Sequence, residues 1–152
     1  MPGAWTQLHA HIVFSTKRRA ELITSEFEPR LYAFLGGIAR ERKCQLVSGN
    51  GMPDHVHLLV RFPGEVAIAD LVKHLKSRST TWVNEEKLTS KRFSWQEGYG
   101  AFTVGLETMP KVKSYIAKQK SHHARMSFVD EVKEMLKRAG MEDRLSDVVG
   151  DD

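Results

Sequence analysis

Two histidines one residue apart, His55 and His57, lie in the apolar segment 54–60 (DHVHLLV). The apolar and β-branched residues around them predict a strand, in which alternate side chains point to the same face. The two imidazoles would therefore lie side by side and could share one divalent ion. The pair alone leaves two interpretations open: a metal site, or hydrogen-bonded histidines on an exposed sheet face.

A second chemical group follows Pro110, where the sequence predicts that a helix begins. This helix carries one stripe at positions i, i+3, i+4 and i+7, formed by Val112, Tyr115, Ile116 and Gln119. Gln119 stands where the stripe requires an apolar residue, and its amide oxygen could be a metal ligand beside the Tyr115 phenol. A core tyrosine with Gln119 as its hydrogen-bonding partner is the alternative.

The two groups are more specific together than apart. Two imidazoles and one amide oxygen form an incomplete coordination shell, which is typical of a catalytic metal that keeps positions for substrate. Such ligands accept manganese or magnesium. A tyrosine has a reference pKa of about 10 and is a weak nucleophile at neutral pH. A metal that polarises a phosphodiester would assist its attack.

A second pair, His9 and His11, has the same spacing on the first predicted strand. Periodicity alone does not distinguish the two pairs. We prefer His55 and His57 because the predicted helix with Tyr115 provides a third element for that site. We expect His9, which precedes the core of its strand, to be solvated.

Alternating strands and helices must position these residues. Strands are predicted at 8–15, 44–49, 54–62 and 99–106, and helices after a capping box at Ser25 and Glu28, over 67–84, from Pro110, and over 128–138. The turn residues at 50–53 predict a hairpin. The order β-α-β-β-α-β-α indicates an α+β fold of the split β-α-β (ferredoxin/RRM-like) type. It is a four-stranded antiparallel sheet with helices on one face, plus a C-terminal helix.

Composition fits a single soluble domain. The chain has 152 residues, 41% of them apolar and 28% charged. A single cysteine, Cys44, cannot form an internal disulfide, and we expect a cytoplasmic protein. The N-terminus lacks the pattern of a signal peptide, and no apolar stretch approaches the roughly 18 residues of a membrane span. We therefore expect no membrane partner.

Charge is distributed unevenly along the chain. Residues 141–152 hold five acidic residues against Arg144, a net charge of −4, so that residues 1–140 carry +8. We therefore divide the chain into a domain at 1–140 and an acidic C-terminal tail at 141–152. A basic domain favours a polyanionic partner such as nucleic acid, although a solvated cationic surface would have the same composition.

Several segments together resemble the IS200/IS605-type Y1 transposases of the HUH endonuclease superfamily. These segments are 8–19 (LHAHIVFSTKRR), 53–60 (PDHVHLLV), 75–79 (LKSRS), 95–104 (WQEGYGAFTV) and the pair Tyr115 and Gln119. The resemblance runs from about residue 7 to residue 123. The segment 53–60 matches the His-hydrophobic-His motif of the family, and the pair matches its nucleophile helix.

The resemblance implies a single-strand DNA transposase. Tyr115 would attack a phosphodiester and become linked to the 5′ phosphate, with Mg2+ or Mn2+ held by His55, His57 and Gln119. The family recognises DNA hairpins near the ends of an insertion sequence and needs no small-molecule cofactor. Our candidate DNA contacts are basic side chains near the first strand and on the second helix: Lys17, Arg18, Arg19, Lys73, Lys76 and Arg78.

The family is typically homodimeric, and its tyrosine helix can serve the histidines of the partner. A hinge at 105–109 would allow this exchange. Two other functions remain open: a domesticated REP-associated tyrosine transposase, and a non-catalytic nucleic-acid-binding module. A phosphodiesterase that uses water would be a third, and it would form no covalent adduct.

Overall fold

The computed structural model describes residues 3–149, in which strands and helices alternate as predicted. The elements are β1 (Leu8–Ser15), α1 (Glu28–Glu41), β2 (Gln45–Met52), β3 (His55–Phe62), α2 (Ile68–Glu85), β4 (Gly100–Thr103), α3 (Met109–Ala117), α4 (Gln119–His122), α5 (Phe128–Arg138) and α6 (Leu145–Val149), with short 3-10 turns at Lys17–Arg19 and Glu142–Arg144. The residues predicted as a turn at 50–52 extend β2, and β4 is shorter than predicted.

The strands form one antiparallel sheet in the order β2-β3-β1-β4. This order places the two central strands, β1 and β3, next to each other, and it confirms the predicted α+β fold. In their register, Val13 lies opposite His57 and Ser15 lies opposite His55. The histidine motif therefore lies at the end of β3 that pairs with the end of β1.

The sheet has two different faces. The apolar face consists of Ala10, Ile12, Phe14, Val56, Leu58 and Val60, and it packs in one core with residues of α1 and α2. The histidine face consists of the alternate residues His9, His11, Val13, Ser15, His55, His57 and Leu59. Because side chains of a strand alternate between faces, two adjacent strands are enough to separate a dry core from a polar layer.

Helices cover both faces, which corrects the expectation that they would lie on one face only. α1 and α2 lie on the apolar face as expected. On the other face, Ile116 of α3 packs against Leu59, and Phe128 and Val132 of α5 pack against Val13. The histidine face carries apolar residues between its histidines, and burial of these residues positions the later helices.

The start of α1 differs from the predicted capping box. Neither Ser25 nor Glu28 caps the helix: Phe27 holds the N-cap position without a side-chain hydrogen bond. The hydroxyl of Thr24 accepts a hydrogen bond from the Phe27 amide at 3.2 Å instead. The capping interaction is therefore displaced by one residue along the chain.

Part of the acidic C-terminal segment is helical. Leu145 of α6 packs against the cluster formed by Val13 and α5, so the segment does not leave the domain directly after residue 140. Residues 1–2 and 150–152 lie outside the described residues, and with them Asp151 and Asp152 of the acidic segment. Residues 3–149 contain no helix that is long and apolar enough to cross a membrane.

Candidate active site

His55 and His57 are fully buried on the histidine face, each with one ring nitrogen held by a neighbour. His55 Nδ1 lies 2.7 Å from Asp54 Oδ1, and His57 Nδ1 lies 2.8 Å from His11 Nε2. Both rings therefore present Nε2 to the space beneath α3 and α5. A histidine oriented through Nδ1, with Nε2 left to a ligand, is the arrangement of most histidine metal ligands.

The pair His9 and His11 is not solvated. Each side chain is buried, because β4 lies next to β1 and the later helices cover this face. The expectation for His9 was therefore wrong. This pair was ranked second as a metal site. It takes part in the site through His11, whose ring orients His57.

Tyr115 and Gln119 lie over the two histidines, as the family resemblance implied. The ring centroid of Tyr115 is 5.7 Å from that of His57, and Gln119 Oε1 is 3.2 Å from His55 Nε2. The side chain of Gln119 is fully buried, and Tyr115 is half-buried. The structure therefore brings together the four residues predicted for the site.

The tyrosine helix is interrupted, whereas the sequence predicted one continuous helix from Pro110 through Gln119. α3 ends at Ala117 and α4 begins at Gln119, with Lys118 between them. The amide of Asn50 on β2 donates to the carbonyls of Ile116 and Ala117, at 3.0 and 3.3 Å. A continuous helix would use these carbonyls for its own next turn, so Asn50 competes with the helix at this point.

Lys120 forms a second link between this helix and β2. Its ammonium lies 3.0 Å from Asn50 Oδ1 and 2.9 Å from both carboxylate oxygens of Glu28, and it also donates to the Gly51 carbonyl. Lys120 and Asn50 together attach the α3–α4 junction to the hairpin. The junction fixes how Tyr115 and Gln119 are oriented relative to the histidines.

Glu131 of α5 lies at the centre of the site and was missed by the sequence analysis. Its Oε1 is 2.9 Å from Nε2 of His57, and its Oε2 accepts hydrogen bonds from the Tyr115 hydroxyl and, at 2.9 Å, from the Gln119 amide. Its side chain is only 1% exposed. The carboxylate therefore contacts both the histidines of the sheet and the tyrosine helix.

His123, just after α4, also reaches this carboxylate. Its Nε2 lies 2.9 Å from Glu131 Oε1, and its side chain is 4% exposed. The ligand atoms of His55, His57, His123 and Glu131 all lie within 4.8 Å of one another. These four residues form a compact group, with two on β3, one between α4 and α5, and one on α5. Their nitrogen and oxygen atoms are of the types that bind metal ions.

A sequence pattern that could have identified Glu131 was present. The apolar positions of α5 recur as Phe128, Val132, Met135 and Leu136, and Glu131 falls within this stripe. A carboxylate at a buried position of an amphipathic helix needs a polar partner, which marks it as a candidate site residue. No comparable periodicity marks His123, which lies between helices.

The electrostatics leave His11 and His57 neutral and the Glu131 carboxylate charged. Burial lowers the pKa of His57 to about 4 and that of His11 to about 3. Burial would raise the pKa of Glu131, but hydrogen bonds from His123 and His57 hold it well below its usual value. Burial would lower the pKa of His123, but its hydrogen bond to Glu131 raises it above the ordinary value. A neutral imidazole has one unprotonated ring nitrogen, and this is the form in which histidine binds a metal.

The Tyr115 phenol keeps its proton in this arrangement. Burial, followed by its hydrogen bond to the charged carboxylate of Glu131, raises the pKa of Tyr115 well above its usual value. The hydroxyl also faces a cavity of about 760 Å³ between β4, α3 and α5. The tyrosine is therefore accessible from one side and bonded to a carboxylate on the other.

The six basic residues predicted to bind DNA lie in two places. Lys17, Arg18 and Arg19 form a 3-10 turn at the end of β1, near the start of β3. Lys73, Lys76 and Arg78 belong to α2, on the opposite side of the sheet from Tyr115. The structure therefore does not gather all six beside the tyrosine.

The residues on α2 differ in what their charges contact. Lys73 is exposed, whereas Arg78 pairs with Glu41. The ammonium of Lys76 donates to the carbonyls of residues 96, 97 and 98 at 2.8, 3.2 and 2.7 Å. Burial lowers the pKa of Lys76 to about 8. In this structure Lys76 holds the loop before β4 in place.

Comparison with known proteins identifies the family. A family model described as "Transposase IS200 like" matches residues 4–119, which include both histidine pairs and Tyr115. The chain belongs to the IS200-like transposase family. The match ends before Glu131 and His123, so these two residues lie outside the part that defines the family.

Curated relatives of this Y1 transposase include two insertion-sequence enzymes. It is 31% identical over 118 residues to the ISDra2 transposase TnpA of Deinococcus radiodurans, covering 74% of this chain and 84% of that protein. It is 26% identical over 115 residues to the transposase of insertion sequence element IS200 from Salmonella typhimurium, covering 72% and 74%.

Solved structures share the fold. A candidate transposase from Deinococcus radiodurans superposes with a TM-score of 0.62 at 28% identity, covering 78% of this chain and 95% of that one. A REP-associated tyrosine transposase bound to a REP hairpin has a TM-score of 0.62 at 15% identity, covering 83% and 74%. The second likeness concerns the fold alone.

Proposed function

We propose that the chain cuts and rejoins single-stranded DNA through Tyr115, in the manner implied by its family. The phenol oxygen attacks a phosphodiester phosphorus and forms a bond to the 5′ phosphate. The phenol loses its proton as this bond forms, the bond from phosphorus to the 3′ oxygen breaks, and the leaving oxygen takes up one proton to become a 3′ hydroxyl, so that the protons balance. Reversal with another 3′ hydroxyl rejoins the DNA and releases the tyrosine.

One observation carries this proposal: the Tyr115 ring lies against the buried His57, its hydroxyl donates to Glu131, and the side chain borders an open cavity. A core tyrosine would not need a hydroxyl directed at a charged carboxylate, and a purely DNA-binding domain would not need two buried imidazoles with inward-facing Nε2 atoms. The arrangement therefore favours catalysis over binding alone.

The residues fit a divalent metal ion. Ligands bound at about 2.1 Å lie at most about 4.2 Å apart. The ligand atoms of His55 and His57 lie within 4.8 Å of each other, and Gln119 Oε1 lies 3.2 Å from His55 Nε2, so that only a small contraction is needed. We propose that His55, His57 and Gln119 hold Mg2+ or Mn2+. The ion would polarise the phosphodiester and, by offsetting the charge of Glu131, lower the pKa of Tyr115.

The DNA substrate is proposed from charge and from the relatives. Lys17, Arg18 and Arg19 lie at the end of β1 where the histidine motif begins and could contact the phosphates of the strand to be cut. We propose that exposed basic residues of α2, with Lys73 the first candidate, contact a hairpin stem on the other side of the sheet. A structural neighbour is bound to such a hairpin.

We further propose a cytoplasmic homodimer, as the family resemblance and composition imply. Each chain would consist of a domain at 1–140 and an acidic C-terminal segment at 141–152, of which Leu145 packs on the domain. The curated relatives at 31% and 26% identity are insertion-sequence transposases, which favours a mobile element over a domesticated host enzyme. Both forms would use the same chemistry at Tyr115.

The test is a covalent-adduct assay. The purified chain is incubated with labelled single-stranded DNA from the ends of its own genomic locus, with Mn2+ or Mg2+, and separated on a denaturing gel. We expect a protein-linked band that requires the metal and is absent in Tyr115→Phe and in His57→Ala. Shifted complexes on a native gel, without any covalent band on a denaturing gel, would overturn the proposal in favour of a binding module.

A further inference from the structure

The site holds a buried carboxylate whose charge has no permanent counterpart. Among the described residues, the nitrogens within 4.0 Å of the Glu131 carboxylate belong to imidazoles and to the Gln119 amide, not to a lysine or an arginine. A charged carboxylate that is 1% exposed needs compensation. A divalent ion in the middle of the group would supply it.

The three ligands proposed from the family resemblance are all neutral. His55, His57 and Gln119 contribute two imidazoles and one amide, and none of them carries a negative charge. Ions such as Mg2+ and Mn2+ are usually held in proteins by at least one carboxylate oxygen. Glu131 places such an oxygen 2.9 Å from Nε2 of His57 and 3.5 Å from Nε2 of His55.

We propose that Glu131 and His123 complete the metal site, so that the ion is bound by β3 and by the region around α5 together. The inference rests on the proposed function, because it uses the same ion. The two added ligands lie beyond residue 119, where the family match ends, in a part of the chain that the family does not define.

The ligand set determines which ion it prefers. With His123 the site offers three imidazoles and one carboxylate, and imidazole favours transition ions over magnesium. The site is therefore selective for Mn2+ or a similar transition ion over Mg2+. Together with the Gln119 amide, the shell then has five protein side chains and leaves fewer positions for a phosphate, so Glu131 is the ligand that DNA must replace or share.

The test measures binding of Mn2+ alone to the full chain, through the loss of the free-ion signal in electron paramagnetic resonance. We expect one tight site in the wild type, with Mg2+ as a weak competitor. Glu131→Gln should raise the Kd at least about ten-fold, and His123→Asn should raise it several-fold. Glu134→Gln, three residues along the same helix and exposed, is the matched control and should bind as the wild type does.

Folding is checked in the same experiment. Thermal unfolding in a chelator reports whether each variant folds, and added Mn2+ should raise the Tm of the wild type and of Glu134→Gln more than that of Glu131→Gln. If Glu131→Gln does not fold, His123→Asn decides the question in the same way. Mn2+ affinity of the folded variants within about two-fold of the wild type would overturn the inference.

Failure of the inference and failure of the proposed function give different results. Tyr115→Phe should keep the Mn2+ affinity of the wild type, because the phenol is not among the ligands. Tight Mn2+ binding that depends on Glu131, with no covalent DNA adduct, would overturn only the proposed function. A normal adduct, with Mn2+ binding indifferent to Glu131 and His123, would overturn only the inference.

Discussion

The two faces of the sheet are built from alternate residues of the same two strands, yet they differ in nearly every physical property. Ile12, Phe14 and Leu58 on the apolar face are fully buried in one large core. On the histidine face the apolar residues form two smaller clusters, and between them lie the imidazoles of His55, His57 and His123 and the carboxylate of Glu131. The apolar face stabilises the fold, whereas the histidine face buries polar groups, which is unfavourable for stability but forms the candidate active site.

The comparison implies that stability and activity separate by face. Leu58→Ala, on the apolar face, should lower the free energy of unfolding by about 2–5 kcal/mol. The shorter side chain leaves a cavity in the core, and the surrounding residues fill it only in part. His57→Gln, its neighbour on the other face, should cost only about 1 kcal/mol, since an amide can keep one hydrogen bond. Urea unfolding in a chelator measures both.

The two variants should show the opposite order in activity, where His57→Gln has the larger loss. His57→Gln should reduce covalent-adduct formation by at least about 100-fold, whereas Leu58→Ala, assayed at a temperature where it is folded, should keep it. Equal losses of activity in the two variants would mean that the faces are not functionally separate.

A second prediction concerns pH, because buried neutral histidines lie on one face only. Burial lowers the pKa values of His11 and His57 to about 3 and about 4, below the value of 6.5 of an unperturbed histidine. Between pH 6.5 and about 4 the unfolded chain binds protons that the folded chain does not. The free energy of unfolding should therefore fall as the pH falls, by up to about 1.4 kcal/mol per pH unit for each histidine.

The measurement is urea unfolding in a chelator at several pH values across this window. His57→Gln should flatten the dependence, and Leu58→Ala should shift the whole curve downwards without changing its slope. A wild-type stability that does not depend on pH in this window would contradict the assignment of neutral, buried histidines.

A third prediction compares two asparagines that bond to backbone in different places. Asn50 holds the carbonyls of Ile116 and Ala117, and Asn84 holds the amide and carbonyl of Phe93 at 2.8 and 2.9 Å. Each Asn→Ala change should cost about 1 kcal/mol of stability. Only Asn50→Ala should also slow adduct formation, about ten-fold, because it displaces the tyrosine helix.

Adduct formation rates and urea unfolding of the two variants decide between a structural and a positioning role. If both variants slow the reaction to the same extent, the loss follows from stability, and the α3–α4 junction has no special part in orienting Tyr115.

The smallest expected effect concerns DNA binding. Lys73 is exposed on α2, and its replacement by alanine should weaken binding of a hairpin from the locus by a few-fold and reduce the dependence on salt by about one counterion. Lys43→Ala is the control, since Lys43 precedes β2 at the other end of the sheet from the histidine motif. Fluorescence anisotropy at several salt concentrations measures both, and equal effects would contradict a specific contact by Lys73.

Local patterns were sufficient to predict most of the fold. The alternation in β1 and β3 and the helical stripes of α2 and α5 are strong because each of these elements buries one face, and α5 has the predicted bounds Phe128–Arg138. The interruption at Lys118 could not be predicted in this way. It depends on Asn50, which is 66 residues away from Ile116 along the chain.

The site was predictable to the extent that its residues lie on regular elements. His55 and His57 share a strand face, and Tyr115 and Gln119 share a helical stripe, so spacing alone placed each pair. That the two pairs meet depended on the family resemblance. The stripe of α5 marks Glu131 as a buried polar residue, but Glu131 reaches the histidines only because α5 packs on the sheet, a tertiary contact that no local period encodes. His123 lies between helices, where no periodicity marks it.

The central claim is that the tyrosine on the histidine face is the nucleophile, and the chain offers an internal comparison, because it has three tyrosines. The most direct measurement digests the covalent DNA–protein adduct and identifies the nucleotide-bearing peptide by mass spectrometry. The account predicts a phosphate-linked Tyr115, lost in Tyr115→Phe and kept in Tyr99→Phe. Linkage through Tyr99, which lies beside Lys76, or through Tyr32 would contradict it.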